Sequence, residues 1–315
     1  MAGTPRAGVG IAGVGIGLAL GAGLGVFLLS PNIPGAMNTG ASSDTVASSE
    51  YESLEAEGKF AQRKAEAADE VVAAAGQDII NGVLDEQPVL VLATADASDE
   101  DVEKLRASLQ RAGAIDSGLI KLSEKFFTQN GADKLKTIVS NTLPAGTELS
   151  ADNRDPGTHA GQALGAALTF AEGTDTPNST TEDRGLLLET LAEAEYLDYE
   201  SGTILPGQAI VMVTGSGSTA SGADFVAKNQ AAFAEALDQA GGATVVAGRV
   251  GHDEANNVIN QLRGSDSAAE AVSTVDAVDQ TWGRLATVLA VAEQLESGSG
   301  AYGFSENADE VLPEH

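Results

Sequence analysis

The first residues with a spacing that could do chemistry are in a glycine-rich turn. Gly215, Gly217 and Ala220 follow the apolar run 209–214 and precede a helical pattern. The spacing matches the G-x-G-x-x-A form of the loop that binds a dinucleotide pyrophosphate. The acidic residue that would bind the ribose is missing after the next predicted strand, where Arg249 stands instead. We favour a tight loop that begins a helix and keep nucleotide binding as the alternative.

Side chains that bind metals or act as nucleophiles form no recognisable arrangement. The histidines His159, His252 and His315 are scattered, without H-x-H or H-x-x-x-H spacing, so we predict surface histidines. The sequence has no cysteine, which excludes disulfides, zinc–thiolate sites, iron–sulfur clusters and a cysteine nucleophile. The G-x-S-x-G nucleophile elbow is also missing. We predict that the protein is not an enzyme, and no cofactor is evident.

A third group of polar residues and glycines lies near the carboxyl terminus. It comprises Ser273, Thr274, Val275 and Asp276, then Asp279, Gly283 and Arg284, and finally Gly298, Gly300, Tyr302 and Gly303. Carboxylates and an arginine so close in sequence favour charge-assisted hydrogen bonds. We predict that Asp276, Asp279 and Arg284 form a cluster that locks the last helix onto the sheet, in preference to a binding role.

Two stretches must position these residues, and both predict a strand, a helix and a second strand. The first has an apolar run at 89–93, Ser98 as the N-cap of a helix that ends near Gly113, and a strand at 119–122. Apolar runs without alternation are typical of strands buried on both faces of a parallel sheet.

The second stretch repeats this order. It has a strand at 209–214, a helix that begins with the capping-box-like pair Ser221 and Asp224, and a strand at 244–247. Further helical patterns occupy 132–143, 160–171, 181–194 and 279–295. The predicted fold class is α/β, a three-layer parallel-sheet sandwich with two βαβ-like units.

Residues 46–86 carry a heptad pattern that predicts a coiled-coil-like stalk helix. Its a and d positions are Tyr51, Leu54, Gly58, Ala61, Ala65, Ala68, Val72, Ala75 and Ile79. The stalk could pair with its twin in a dimer or with the helix of a partner protein. The alternative is an amphipathic helix that folds back on the globular domain.

The run 7–30 contains no charge and predicts one transmembrane helix. Its length would be about 36 Å at 1.5 Å per residue, enough to cross a bilayer with some tilt, whereas signal peptides have shorter apolar cores. Arg6 precedes the run and acidic residues follow it, so we predict a cytoplasmic amino terminus and an extracytoplasmic domain.

Four glycines in this run recur at every fourth position and lie on nearly one helix face. They are Gly13, Gly17, Gly21 and Gly25. Three overlapping G-x-x-x-G units predict a dimer of membrane helices. A general abundance of small residues in the sequence explains the pattern equally well.

The charge balance limits the classes of partner. Aspartate and glutamate number 46 against 17 lysine and arginine residues, so the net charge is −29. Such a chain repels nucleic acid phosphates and anionic lipid surfaces, and we expect no nucleic acid partner.

The carboxyl-terminal group, the short anchor, the heptad stalk and the strand PVLVL together resemble the mycobacterial copper transport protein family, MctB-like proteins of actinobacterial envelopes. The resemblance covers nearly the whole chain, and its most specific parts are STVD, Gly283-Arg284 and the glycine-rich turn before Tyr302. It implies a role in copper efflux and resistance and a channel-forming protein of the outer membrane. Copper is implied by this resemblance alone.

Relatives in this family have also been associated with cell separation, as envelope partners that regulate wall hydrolases. Copper(I) prefers sulfur ligands, and the sequence offers Met1, Met37 and Met212 but no cysteine. The alternative to copper transport is therefore a non-catalytic envelope scaffold that binds partners through its stalk.

These features divide the sequence into five parts. They are a cytoplasmic stub with the transmembrane helix at 1–30, a linker at 31–45, the stalk at 46–86, an extracytoplasmic α/β domain at 87–297 and a glycine-rich acidic tail at 298–315. The expected location is the cell membrane as a single-pass protein, with the outer membrane implied by the family.

Overall fold

A computed structural model describes residues 56, 58–60, 63–64, 67, 69–76, 78–171, 174–249 and 256–313. The chain divides into two units, residues 1–74 and residues 75–315. The predicted membrane span at 7–30, with Gly13, Gly17, Gly21 and Gly25, lies outside the described residues. Among the residues that are described, no helix combines the length and apolarity needed to cross a bilayer.

The second unit alternates strands and helices around one sheet. The strands are β1 Pro88–Ala93, β2 Ile115–Leu122, β3 Leu197–Tyr199, β4 Ala209–Val213, β5 Ala243–Ala247, β6 Ser273–Val275 and β7 Ala301–Tyr302. The helices are α1 Asp99–Arg111, α2 Glu124–Phe127, α3 Gln129–Asn141, α4 Pro156–Leu168, α5 Thr181–Glu193, α6 Ala223–Gln239, α7 Val258–Arg263, α8 Asp266–Ala271 and α9 Thr281–Leu295.

Both predicted βαβ units are confirmed. Strands β1 and β2 pair in parallel and are joined by α1, and strands β4 and β5 pair in parallel and are joined by α6. The sheet order is β3-β2-β1-β4-β5-β6-β7, so the two βαβ units extend in opposite directions from the central pair β1 and β4. Because such crossovers are right-handed, the two connecting helices cover opposite faces of the sheet.

The two faces of the sheet have different covers. On one face, Leu90, Leu92 and Met212 belong to a core that includes side chains of α2 to α8. The other face is covered by α1 and α9, which contact each other and the central strands. Helices on both faces explain why the central strands are apolar throughout, and the three-layer α/β sandwich is confirmed.

The closest helix contact is between α4 and α6. Three glycines of α4, Gly157, Gly161 and Gly165, recur at every fourth position and face the backbone of α6. A Cβ atom on Gly161 would lie 2.5 Å from the carbonyl oxygen of Phe233 and 2.7 Å from the Cβ of Ala236. Only glycine permits this approach, since real Cβ contacts are longer.

The sheet continues into the segment predicted as an acidic tail. Strand β7 pairs in parallel with β6, and the backbone N–H of Asp309 donates to the carbonyl oxygen of Ala301 at 2.8 Å. The segment therefore forms the last strand of the domain and covers its outer edge. The sequence did not predict this strand, because two residues are too few to show a periodic pattern.

The predicted capping pair at the start of α6 is wrong. Gly222, with a φ of 89°, is the N-cap residue and has no side chain that could cap. Asp224 instead forms an ion pair with Lys228 at 3.0 Å. Ser98 is the N-cap of α1 as predicted, although its side chain makes no capping hydrogen bond.

The described part of the predicted stalk is helical. In the first unit, the described residues from 56 to 74 are all helical. In the second unit, residues 75, 76 and 78–80 are helical and 81–86 form turns. Gly76 lies against Leu285, and Ile80 is buried, whereas the predicted heptad residue Ile79 is 51% exposed. The end of the helix therefore packs on the domain through positions outside the heptad pattern.

Five of the predicted stalk residues lie outside the described residues. They are Tyr51, Leu54, Ala61, Ala65 and Ala68. In the described part, Gly58 and Ala75 are exposed and Val72 is half-buried. Pairing of the stalk with a second helix stays a prediction.

Candidate functional site

The central strands β1 and β4 end side by side at the point where the chain order reverses. In open α/β sheets, this edge is where ligands usually bind. Here the backbone N–H of Thr94 donates to the carbonyl oxygen of Val213 at 2.9 Å, and the Thr94 hydroxyl donates to the Asp96 carboxylate at 2.6 Å. Gly215 lies directly against Asp96. The two strand ends are thus joined by hydrogen bonds within the protein.

A buried carboxylate links α1 to the end of β5 at the same edge. Asp101 is 3% exposed, and its carboxylate accepts a hydrogen bond from Arg249 Nε at 2.6 Å. This contact raises the pKa of Arg249, since the adjacent negative charge favours the charged guanidinium. The sequence showed Arg249 where a dinucleotide loop would need an acidic residue, but it did not reveal the partner Asp101, because 148 residues separate the two.

The predicted dinucleotide loop is filled by the protein itself. A Cβ atom on Gly217, whose φ is +81°, would lie 2.7 Å from the carbonyl oxygen of Asn256. Gly215 is similarly close to Asp96. Helix α6 begins only at Ala223, beyond Ala220. The glycines therefore serve close backbone packing, which supports the tight-loop interpretation that the sequence favoured.

A surface cavity of about 400 Å³ lies beside this edge. Lys121, Ser123, Glu195 and Asp198 are among its lining residues. Lys121 forms an ion pair with Asp99 at 2.6 Å, and Glu195 forms one with Lys125 at 3.1 Å. Lys121 and Glu195 in this lining are thus already engaged in ion pairs within the chain.

The carboxyl-terminal group of residues surrounds a buried guanidinium that the sequence did not indicate. Arg263, at the end of α7, has a side chain 3% exposed and donates from Nη1 to the Asp276 carboxylate at 2.9 Å. Its Nε donates to the Thr274 hydroxyl at 2.8 Å, and its Nη2 to the Tyr302 carbonyl oxygen at 2.8 Å. Burial lowers the pKa of Arg263, while the ion pair with Asp276 opposes that shift.

The turn after β7 is built around the same carboxylate. Asp276 accepts hydrogen bonds from the backbone N–H of Phe304 at 3.0 Å and from the hydroxyl of Ser305. Gly303, with a φ of +144°, lies so close to Asp276 that no side chain would fit there. The turn and the carboxylate are thus a single unit, which we call the Asp276 cluster: Arg263, Thr274, Asp276, Gly303 and Ser305.

The predicted cluster of Asp276, Asp279 and Arg284 is wrong for Asp276, whereas the contact between Arg284 and Asp279 is present. Asp276 pairs with Arg263 instead, and Arg284 donates to the carbonyl oxygens of Val278 and Asp279 at 3.1 and 2.9 Å. Arg284 therefore fixes the turn before α9. The prediction failed because β6 directs Asp276 toward α7, whereas Arg284 lies one turn inside α9.

The remaining motif residues also have structural contacts. Gly283 lies against the backbone of Ala277, and Gly300 against the ring of Tyr302. The Tyr302 hydroxyl donates to the Glu293 carboxylate, and Gly298 contacts the Glu293 side chain. Ser273 accepts a hydrogen bond from Gln294 Nε2 at 3.0 Å, and Val275 is buried in β6. The motif thus joins α9, β6 and β7.

The donors needed for a metal site are not brought together in the described residues. They contain no group of three or more histidine, aspartate or glutamate side chains that could hold a metal ion. Met212 is fully buried in β4, and His252 and His315 lie outside the described residues. His159, predicted to be at the surface, is only 8% exposed: one ring nitrogen is 3.0 Å from the Ser150 carbonyl oxygen, and Nδ1 is buried without a partner.

Comparison with known proteins decides the family. The profile described as "Copper transport outer membrane protein, MctB" matches residues 7–313 of the chain. The chain belongs to the MctB family. The proteins named "Copper transporter MctB" from Mycobacterium bovis and Mycobacterium tuberculosis are each 31% identical over 253 residues, which cover 79% of this chain and 80% of the relative. The protein of that name from Mycobacterium leprae is 30% identical over 239 residues, covering 74% of this chain and 75% of the relative.

The match confirms the family resemblance that the carboxyl-terminal motif carried. The family description also places this group of proteins at a membrane of the cell envelope and in copper transport.

Proposed function

We propose that this chain is a membrane-anchored component of copper efflux and resistance in the cell envelope. The observation that carries the proposal is the similarity to copper transporters over 79% of the chain. The donors in the described domain do not fit a resident copper site. The domain would act by holding other components in place.

The test of this function is deletion of the gene. We expect the deleted strain to tolerate less copper in the medium and to accumulate more cell-associated copper, and both properties to return with the wild-type gene. A strain that lacks the gene yet keeps wild-type copper tolerance and copper content would contradict the proposal.

We also propose a topology with a single span at residues 7–30 and the α/β domain outside the membrane. The charge-free run with Arg6 before it supports this arrangement. Protease added to intact spheroplasts should degrade the domain and leave a short protected fragment. A protein that fractionates without membranes would overturn the anchor.

The glycine face of the span supports a proposed homodimer. Replacing Gly17 and Gly21 by leucine should reduce cross-linked dimer, because bulky side chains prevent close helix contact. The matched control is Gly23→Leu, which lies on the opposite face of an ideal helix. Equal losses in both variants would argue against a glycine-face dimer.

The alternative function is a non-catalytic scaffold that recruits an envelope partner through the stalk and regulates cell-wall hydrolases. The observation that favours it is the exposed Ile79 beside the buried Ile80, which leaves one apolar side of the helix end uncovered. Ala65→Pro should break the predicted helix and impair cell separation and partner co-purification, whereas Ala65→Ser should not. Unchanged separation and co-purification in the proline variant would refute this function.

A further inference from the structure

An exposed aromatic pair stands at the carboxyl-terminal edge of the domain. Phe304 is 56% exposed, and its ring meets the half-buried ring of Trp282 edge-on, with centroids 6.0 Å apart. Adjoining exposed apolar side chains with polar residues around them are typical of protein interaction sites.

The position of Phe304 is fixed by the protein. Its backbone N–H donates to the Asp276 carboxylate at 3.0 Å, and the preceding Gly303 is held against the same carboxylate. The Gly303 N–H also donates to the Glu310 carbonyl oxygen at 2.9 Å. The ring is therefore held at the surface by the Asp276 cluster, and its exposure does not come from a loose chain end.

The surroundings of the pair are acidic. Glu306, Asp309 and Glu310 are all exposed, and the hydrogen bonds from Ala308 to Ser305 and from Gly303 to Glu310 fold them back beside Phe304. The nearby guanidinium of Arg263 is buried within the Asp276 cluster, where it is paired with Asp276. Arg249, which interacts electrostatically with Asp279, is paired with Asp101. We call Trp282, Phe304, Glu306, Asp309 and Glu310 the acidic aromatic patch.

We propose that the acidic aromatic patch binds an arginine- or lysine-rich segment of a partner protein. A guanidinium or ammonium group is attracted to an aromatic face and to carboxylates beside it, so both features of the patch select the same ligand chemistry. This inference deepens the scaffold function proposed above, because it names a second contact and the chemistry of the partner.

The chain itself supplies the reporter for the test. Trp282 is the one tryptophan in the sequence, so tryptophan fluorescence reports directly on the patch. We would titrate the full-length protein in nonionic detergent with an oligo-arginine peptide and, separately, with an oligo-glutamate peptide. Saturable change in Trp282 emission is expected with oligo-arginine and none with oligo-glutamate.

Variants distinguish binding at the patch from a general attraction of the basic peptide to a protein of net charge −29. Phe304→Ala should weaken oligo-arginine binding about three- to fivefold, and Glu306→Gln with Glu310→Gln should weaken it and reduce its salt dependence. The matched controls lie on α5, where exposed Leu186 is flanked by exposed Glu182 and Glu189. Leu186→Ala, and Glu182→Gln with Glu189→Gln, should bind as the wild type does.

Two results would overturn the proposal. One is equal affinity in the Phe304 and Leu186 variants, with circular dichroism showing that both are folded, since binding would then be diffuse. The other is a soluble glycan fragment that changes Trp282 emission and displaces oligo-arginine. Both measurements use purified protein, so their outcome is independent of copper tolerance and of cell separation, which test the proposed functions in cells.

Discussion

The contact between α4 and α6 and the contact between α7 and the β6–β7 edge hold the domain together by opposite means. At the first, Gly157, Gly161 and Gly165 let two helix backbones approach closely. At the second, the ion pair of Arg263 and Asp276 is buried and surrounded by hydrogen bonds. One contact depends on shape and the other on charge.

The difference predicts how each contact fails. A glycine contact loses stability when volume is added, whereas a buried ion pair loses it when one partner is removed and the other is left charged. The glycine contact should therefore respond to side-chain size and not to charge. The ion pair should be sensitive to charge and tolerant of matched apolar replacement.

The largest loss of stability is expected from Asp276→Ala. The variant leaves the Arg263 guanidinium buried without its carboxylate, which typically costs about 3–5 kcal/mol in the free energy of unfolding. Urea unfolding followed by circular dichroism measures it. The double variant Arg263→Met with Asp276→Leu should lose less than Asp276→Ala alone, and a larger loss in the double variant would show that charge is not what the contact requires.

A smaller loss is expected from Gly161→Ala. The new methyl group would meet the backbone of α6, and overpacking of this kind costs about 1–3 kcal/mol despite the better helix propensity of alanine. Gly185→Ala on α5 is the control, because nothing lies within 4 Å of its Cβ position, and it should gain up to about 1 kcal/mol. Similar changes in stability in both variants would show that close packing against α6 is not what requires glycine in α4.

Within the charged region, Tyr302→Phe should cost about 1–3 kcal/mol. The change removes the hydroxyl that donates to the Glu293 carboxylate and leaves that acceptor without its partner. Burial and the adjacent carboxylate raise the pKa of Tyr302, so the hydroxyl stays protonated across neutral pH. The loss in the free energy of unfolding should therefore not vary between about pH 6 and about pH 8. A loss that changes with pH in this range would indicate another titrating group.

The sequence predicted those parts of the fold that have a periodic pattern. The strands β1 and β4 and the helices α1 and α9 were recognised from apolar runs and helical spacing. Strands β3, β6 and β7 were missed, because two or three residues are too few for a pattern. Their places are determined by pairing with neighbouring strands, which only the folded chain provides.

The candidate site was less predictable because its partners are distant in the chain. The sequence singled out Asp276, but its partner Arg263 belongs to a short helix that the sequence did not predict. Arg249 and Asp101 are brought together by the parallel sheet alone. The glycines of α4 repeat every fourth residue, as Gly13 to Gly25 do, and in α4 the partner helix lies in the same chain.

The smallest expected effect concerns a carboxylate of α6, one of the two helices in the shape-dependent contact. Asp238, near the end of α6, has its pKa raised from 3.8 to about 6, chiefly by burial. The folded state therefore binds a proton more readily than the unfolded state, and this group's contribution to stability falls as pH rises from about 4 to about 6.

Asp238→Asn should remove that fall and leave the variant about 1 kcal/mol more stable at neutral pH, a value reduced for partial exposure. Urea unfolding across this pH range measures the effect, with Asp224→Asn as the control, because Asp224 is exposed and paired with Lys228. If the two variants follow the same pH profile, burial at the end of α6 does not control the ionisation of Asp238. If they differ as expected, the burial of the Asp238 carboxylate lowers the free energy of unfolding at neutral pH, although the contact between α4 and α6 depends mainly on shape.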